Sequence, residues 1–257
     1  MSSSELKRSA IVFAPHQDDE TLGCGGTIIR KKRAGADLKI VFLTDGSRSH
    51  QSIAAEDLRG MRIQEAIAAA RQLGVPAEDV IFIGIQDGEL MQHQEEAIAK
   101  IQRILAQFPP EEVYIPYRDE PMFVSDHTAT YQAVISALER GKHSVRVYEY
   151  PIWFWRQYPW TYAKRQHAGD AVLQIPKGVL TGLKFRQEFN HRVNTQEVLA
   201  LKRSALNEHK SQIERPENNP KWTILSDFSE GQWLECCFQN HEFFHQEIYQ
   251  NGLKVSL

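Results

Sequence analysis

Cysteine is nearly missing from this chain. Three occur in 257 residues, Cys24 and the adjacent pair Cys236 and Cys237. Neighbouring cysteines rarely bridge each other, so no disulfide framework is expected and a reducing cytoplasm is the simplest setting. Staples are unnecessary at this length, which buries a full core. One domain is expected over residues 1–257, with a core at about 8–150 and an extension at 151–257. No apolar run reaches the ~18 residues of a membrane span, and Met1 to Arg8 hold no apolar signal core. Positive charge is not in excess: 30 Lys and Arg against 33 Asp and Glu leave a net charge of -3. Nothing in that balance attracts a phosphate backbone, so nucleic acid is not an expected partner. Internal repeats and low-complexity tracts are absent.

What the chain has is alternation. Short apolar runs at Ser9–Ala14, Leu38–Leu43, Asp79–Ile83, Glu112–Ile115 and Val145–Tyr150 read as strands. Between them, Glu20–Ala34, Glu56–Leu73 and Glu95–Gln107 have helical period, and Asp126 is placed to N-cap a helix from His127 to Glu139. Such alternation predicts an α/β fold, a Rossmann-like doubly wound, mostly parallel sheet. After Tyr150 the pattern loosens into an aromatic-rich C-terminal extension. Trp153, Phe154, Trp155, Tyr158, Trp160 and Tyr162 fall within ten residues, with Arg156, Lys164 and Arg165 among or after them. Core packing, a sugar-stacking substrate entrance, a subunit contact and a membrane-touching patch all suit that segment, with core packing the plain reading. Thr195–His209 reads as a late helix.

Charge is concentrated where the first strand ends, in Pro15-His16-Gln17-Asp18-Asp19-Glu20, ahead of Gly23-Cys24-Gly25-Gly26. A helix N-terminus favours single acidic residues. It accounts for neither the histidine nor three acids in a row, whereas a divalent metal site accounts for both. His16 and Asp19 are three apart and share one side of a helical turn, while Asp18 is out of phase and free to act on a water. Nitrogen with carboxylate oxygen suits zinc. The other chemically suggestive residues also follow strands: Asp45 the second, Asp87 the third, and Arg118, Asp119 and His127 the fourth. In open parallel sheets ligands bind beyond those ends. Three protein ligands and water make a catalytic zinc site; on residues alone His127 is preferred as the third, with His50 the best alternative.

The strand-H-Q-D-D-E run followed by G-x-G-G resembles the signature of the PIG-L/LmbE family of zinc-dependent N-deacetylases, in which proline usually stands where Gln17 is. The resemblance spans roughly residues 8–150, with a weaker echo in His209-Lys210-Ser211-Gln212, whose plain alternative is a helix C-terminus. It implies one Zn2+ per chain held by His16, Asp19 and His127, with Asp18 as general base. The implied third ligand comes from Val124-Ser125-Asp126-His127, in which only Asp-His of the family's H-P-D-H survives. Val124 replaces a histidine that helps stabilise the transition state, and Arg118 is the candidate replacement donor. Asp87 is the counterpart of a carboxylate facing substrate hydroxyls. Arg62 matches an R-x-x-E-A motif, with a structural ion pair to Glu65 or a neighbour as the plain alternative.

The implied function is metal-dependent removal of an N-acyl group, acetyl above all, from an N-acetylglucosamine-type conjugate. The implied enzyme is a soluble bacterial-type member without a membrane span, and a homo-oligomer is compatible with the family. Two competitors are a catalytically weakened carbohydrate-binding or regulatory relative that keeps its metal, and a Rossmann-type nucleotide enzyme. The retained Asp18 argues against the first. The carboxylates at the first turn would repel pyrophosphate and argue against the second.

Overall fold

After a one-turn helix α1 (Ser3–Leu6), the chain enters β1 (Ala10–Ala14), whose five residues are all buried. Successive side chains of a strand point to opposite faces. Ala10, Val12 and Ala14 accordingly enter one hydrophobic core, and Ile11 and Phe13 enter another. That split places β1 at the centre of a sheet covered on both faces. The computed structural model describes residues 1–120, 125–161 and 170–255.

The elements alternate: α2 (Asp19–Arg33), β2 (Leu38–Thr44), α3 (Ala55–Gln72), β3 (Val80–Ile85), α4 (Gln94–Gln107), β4 (Glu112–Pro116), α5 (Ser125–Arg140) and β5 (Val145–Tyr150). There follow α6 (Asp170–Glu188), β6 (His191–Asn194), α7 (Leu199–Leu206), α8 (Lys210–Ile213), α9 (Gln232–Cys236), β7 (His241–Gln250) and β8 (Leu253–Val255). The strand order is β3-β2-β1-β4-β5-β7-β6, with β8 on β7. The first five strands pair in parallel, and β7 joins β5 antiparallel. The fold is the expected mostly parallel α/β sheet. One core contains α2, α3 and α7 residues, and the other contains α4 and α5 residues.

The strand order reverses between β1 and β4, opening a crevice at their carboxyl ends where ligands bind in such sheets. Helix α2 lies very close to its neighbours there. A Cβ on Gly23 would come within 2.3 Å of the Tyr150 ring, and one on Gly26 within 2.5 Å of Thr195. The glycine run is therefore a packing device that draws α2 down beside the site.

Two expectations are corrected. Asp126 lies inside α5, and its carboxylate accepts from the amides of Gly88 (2.7 Å) and Leu90 (3.2 Å), capping a loop across the crevice. The late helix is broken: a 3-10 turn at Gln196–Val198 precedes α7, and the chain turns at His209 before α8. His209 leaves the helix because its ring reaches back to Glu20, 3.0 Å away. Beyond residue 150, β7 extends the sheet along β5.

Candidate active site

The turn after β1 sets the geometry. The His16 amide donates to Asp19 Oδ2 at 3.0 Å, and His16 Nδ1 lies 3.1 Å from the same oxygen. From α5, His127 Nε2 comes within 3.3 Å of that oxygen. One donor atom from each of the three residues lies within 4.8 Å of the others, a spacing that can hold a metal ion. His16 Nε2 faces Asp87 (3.2 Å) and Asp126 (3.4 Å) on its other side. Those carboxylates fix the ring, as outer partners of a metal-ligating histidine do.

Two features of the protein fit a metal in this place. His127 is fully buried, yet its Nδ1 has no hydrogen-bond partner among the described residues and its Nε2 has only the contact with Asp19. Such orphans are costly without an ion or water to satisfy them. Asp18, Asp19, Asp87 and Asp126 also crowd two imidazoles, with Arg62 as the near cation. That imbalance is what a divalent cation neutralises. Burial works against the charge of Asp19, but His127 and His16 outweigh it and hold its carboxyl far below the usual range.

Asp18 is placed differently. Its φ of 147° is a strained conformation for a residue with a Cβ, of a kind that clusters at functional sites. Its amide donates to Glu20 Oε2 at 3.0 Å, which helps hold that conformation. Burial, aided by Asp19 and opposed by Arg62, pushes its carboxyl up to about 7. A carboxyl that titrates near neutrality suits proton transfer. Arg62 lies 3.5 Å from Asp18 and donates to the Gln17 carbonyl at 2.6 Å. It does not pair with Glu65, which instead accepts from the amide and hydroxyl of Ser211. Gln17 has a structural role: its side chain donates to the Thr44 carbonyl at 2.8 Å, tying the β1 turn to the end of β2.

His16, Asp18, Asp19, Arg62, Asp87 and His127 all line one cavity of about 310 Å3. Arg118 does not reach it. Its guanidinium is engaged by Glu149 and Glu247, so the structure does not bring it to the turn as a replacement donor. Val124 lies outside the described residues, as do Tyr162, Lys164 and Arg165. His50 lines the cavity but stacks on Trp222 at 3.8 Å and sits outside the metal-spaced groups.

The aromatic segment divides. Trp153 lines the cavity and stacks on Trp233 at 4.6 Å, with Phe228 edge-on at 5.1 Å. Phe154 and Trp155 are buried in the core. The wall made by Phe228 and Trp233 carries no signal in the sequence. The late motif did carry one: His209, Ser211 and Gln212 are buried, reach Glu20 and Glu65, and place Gln212 on the cavity.

Residues 11–138 match the family model described as PIG-L: GlcNAc-PI de-N-acetylase. The chain belongs to the PIG-L family. It is 27% identical over 260 residues to the 1D-myo-inositol 2-acetamido-2-deoxy-alpha-D-glucopyranoside deacetylase of Mycobacterium sp. (strain KMS), covering 88% of this chain and 81% of that one. Among solved structures it is similar to N,N'-diacetylchitobiose deacetylase from Pyrococcus horikoshii, with a TM-score of 0.65, 21% identity, and 95% and 84% of the two chains covered. GalB, the 4-carboxy-2-hydroxymuconate hydratase of Pseudomonas putida, is also similar, with a TM-score of 0.55, 18% identity, and 78% of each chain covered. At such identities the likeness shows a shared fold, and folds host several chemistries. The PIG-L match, with a deacetylase relative aligned along most of both chains, makes this chain an N-deacetylase-type enzyme. Among the described residues no helix is long and apolar enough to cross a membrane.

Proposed function

We propose that this PIG-L chain is a zinc-dependent hydrolase that removes acetyl from the nitrogen of an N-acetylglucosamine-type conjugate. The observation that carries the reading is a buried carboxylate, Asp18, on the same cavity wall as the His16, Asp19 and His127 donors. Two imidazoles and one carboxylate form a set that suits zinc. A zinc ion held there supplies Lewis acidity, which makes a water acidic near neutral pH and polarises an amide carbonyl.

The chain's own residues do the rest. Asp18 takes a proton from the attacking water. The oxygen bonds to the acyl carbon, the C–N bond breaks, and Asp18 returns the proton to the leaving amine. Arg62 restrains Asp18 and, with Asp87, faces the bound sugar across the cavity. Trp153 offers an aromatic face of the kind that sugar rings stack on. The three free cysteines fit a reducing cytoplasm.

The test is acetate release from N-acetylglucosamine glycosides by the purified, zinc-loaded protein. The expected result is stoichiometric acetate and free amine. No release from such glycosides by protein holding one zinc per chain contradicts the reading.

A further inference from the structure

One buried imidazole on the cavity has no part in the hydrolysis. His50, in the loop after β2, is 6% exposed and borders the same space as His16, Asp18 and His127. Among the described residues it stands in none of the metal-spaced groups.

The ring is nevertheless held firmly. One face stacks on Trp222, with centroids 3.8 Å apart and planes 18° from parallel. Nε2 lies 3.0 Å from the Ser211 carbonyl, which also accepts from the Trp222 indole at 2.8 Å. Ser211 is itself fixed, because its amide and hydroxyl both donate to Glu65 of α3. Elements distant in sequence therefore converge to set the orientation of one imidazole, as the supporting shell of a functional group does.

The anchor also decides the tautomer. A carbonyl only accepts, so Nε2 carries the proton. Gln212 Nε2 stands 3.4 Å from the same nitrogen but already donates to the Ser211 hydroxyl at 2.9 Å. Burial holds the imidazole below its usual range, aided by Arg62 and opposed by the Ser211 carbonyl, so the ring is neutral and Nδ1 presents a lone pair. That nitrogen has no hydrogen-bond partner among the described residues, and it is not sealed from solvent as His127 Nδ1 is. A fixed, open acceptor on a ligand cavity is a receptor for a donor on the ligand.

We propose that His50 Nδ1 accepts a hydrogen bond from one hydroxyl of the amino sugar and makes the enzyme selective for sugars that bear it. The inference rests on the deacetylase reading for the class of ligand, and adds to it a specificity residue that moves no proton in the reaction. A sugar without that hydroxyl leaves the buried acceptor unpaired, which is what disfavours it.

Methyl N-acetyl-α-D-glucosaminide and its 3-, 4- and 6-deoxy counterparts test this on the zinc-loaded protein. Calorimetry reads affinity, and amine release reads turnover separately. In the wild type one deoxy sugar should bind about tenfold or more weakly than the parent. His50→Phe keeps a ring against Trp222 and leaves the Ser211 carbonyl its indole donor, but has no acceptor. It should bind that pair of sugars alike, with zinc content unchanged. A second measurement needs no variant: in protein with 15N-labelled histidine, the His50 Nδ1 resonance should shift on adding the parent sugar and not on adding that deoxy sugar. Equal affinities in the wild type, no binding of any of the four, a preference that survives His50→Phe, or an Nδ1 resonance indifferent to the parent sugar overturns the acceptor role. A preference lost in His50→Phe, with no amine released from any sugar, upholds the acceptor and removes the deacetylase reading. Amine released with no hydroxyl preference does the reverse.

Discussion

Two buried clusters in this protein have the same ingredients and opposite electrostatics. At the β1 turn, His16, Asp19 and His127 stand at metal-ligand spacing; between β5 and β7, so do Glu149, His245 and Glu247. The second cluster already has its cations. Arg118 engages both Glu149 and Glu247, and Lys254 engages Glu247. The first has carboxylates in excess, and the buried Nδ1 of His127 has no hydrogen-bond partner among the described residues. Spacing alone therefore does not mark a metal centre. What separates the two is whether the protein supplies the neutralising charge itself, because burying unbalanced charge is strongly unfavourable.

Several substitutions would sharpen or break that contrast. The largest effect is expected from Asp18→Asn. It should retain metal while turnover falls about a hundred- to ten-thousandfold, the usual worth of a positioned acid–base group. Near wild-type turnover would remove Asp18 from the chemistry. His127→Ala should weaken metal affinity by more than about a hundredfold, beyond the 10- to 100-fold typical of losing an outer partner; elemental analysis after dialysis against a weak chelator reads this. Full retention of metal would remove His127 from the site. Arg118→Ala should leave metal content unchanged but destabilise the fold by about 2–4 kcal/mol, because it strands the buried Glu149. Urea denaturation measures this, and a variant that instead acquires a second metal would show that arginine was holding a cation site closed. The smallest effect is expected from Trp153→Ala: KM should rise severalfold with metal content constant, while a pure loss of thermal stability would assign Trp153 to the core.

The parallel half of the fold was legible because its strands are continuous apolar runs and its helices have clear period. The antiparallel half was not, and β7 shows why. Its sequence, His241-Glu-Phe-Phe-His-Gln-Glu-Ile-Tyr-Gln250, places glutamates at inward positions. Glu242 and Glu247 are buried only because Lys202 and Arg118 meet them from distant parts of the chain. No local pattern announces such partners. The same logic misplaced Arg118: it follows β4 toward the site in sequence, yet buried carboxylates on β5 and β7 hold it elsewhere. The His16–Asp19 turn was readable because its charge density has no structural use. The wall of Phe228 and Trp233 was not, since single aromatics in a 3-10 turn and a helix of little more than one turn carry no positional information.

The contrast between the two clusters is tested most directly by locating the ion. Crystals of the protein loaded with zinc, measured on both sides of the zinc absorption edge, should give one anomalous peak per chain between His16, Asp19 and His127, and none beside Glu149, His245 and Glu247. A peak at the second cluster, or none at the first in protein that binds zinc in solution, would contradict the rule that charge balance decides which of the two holds a metal.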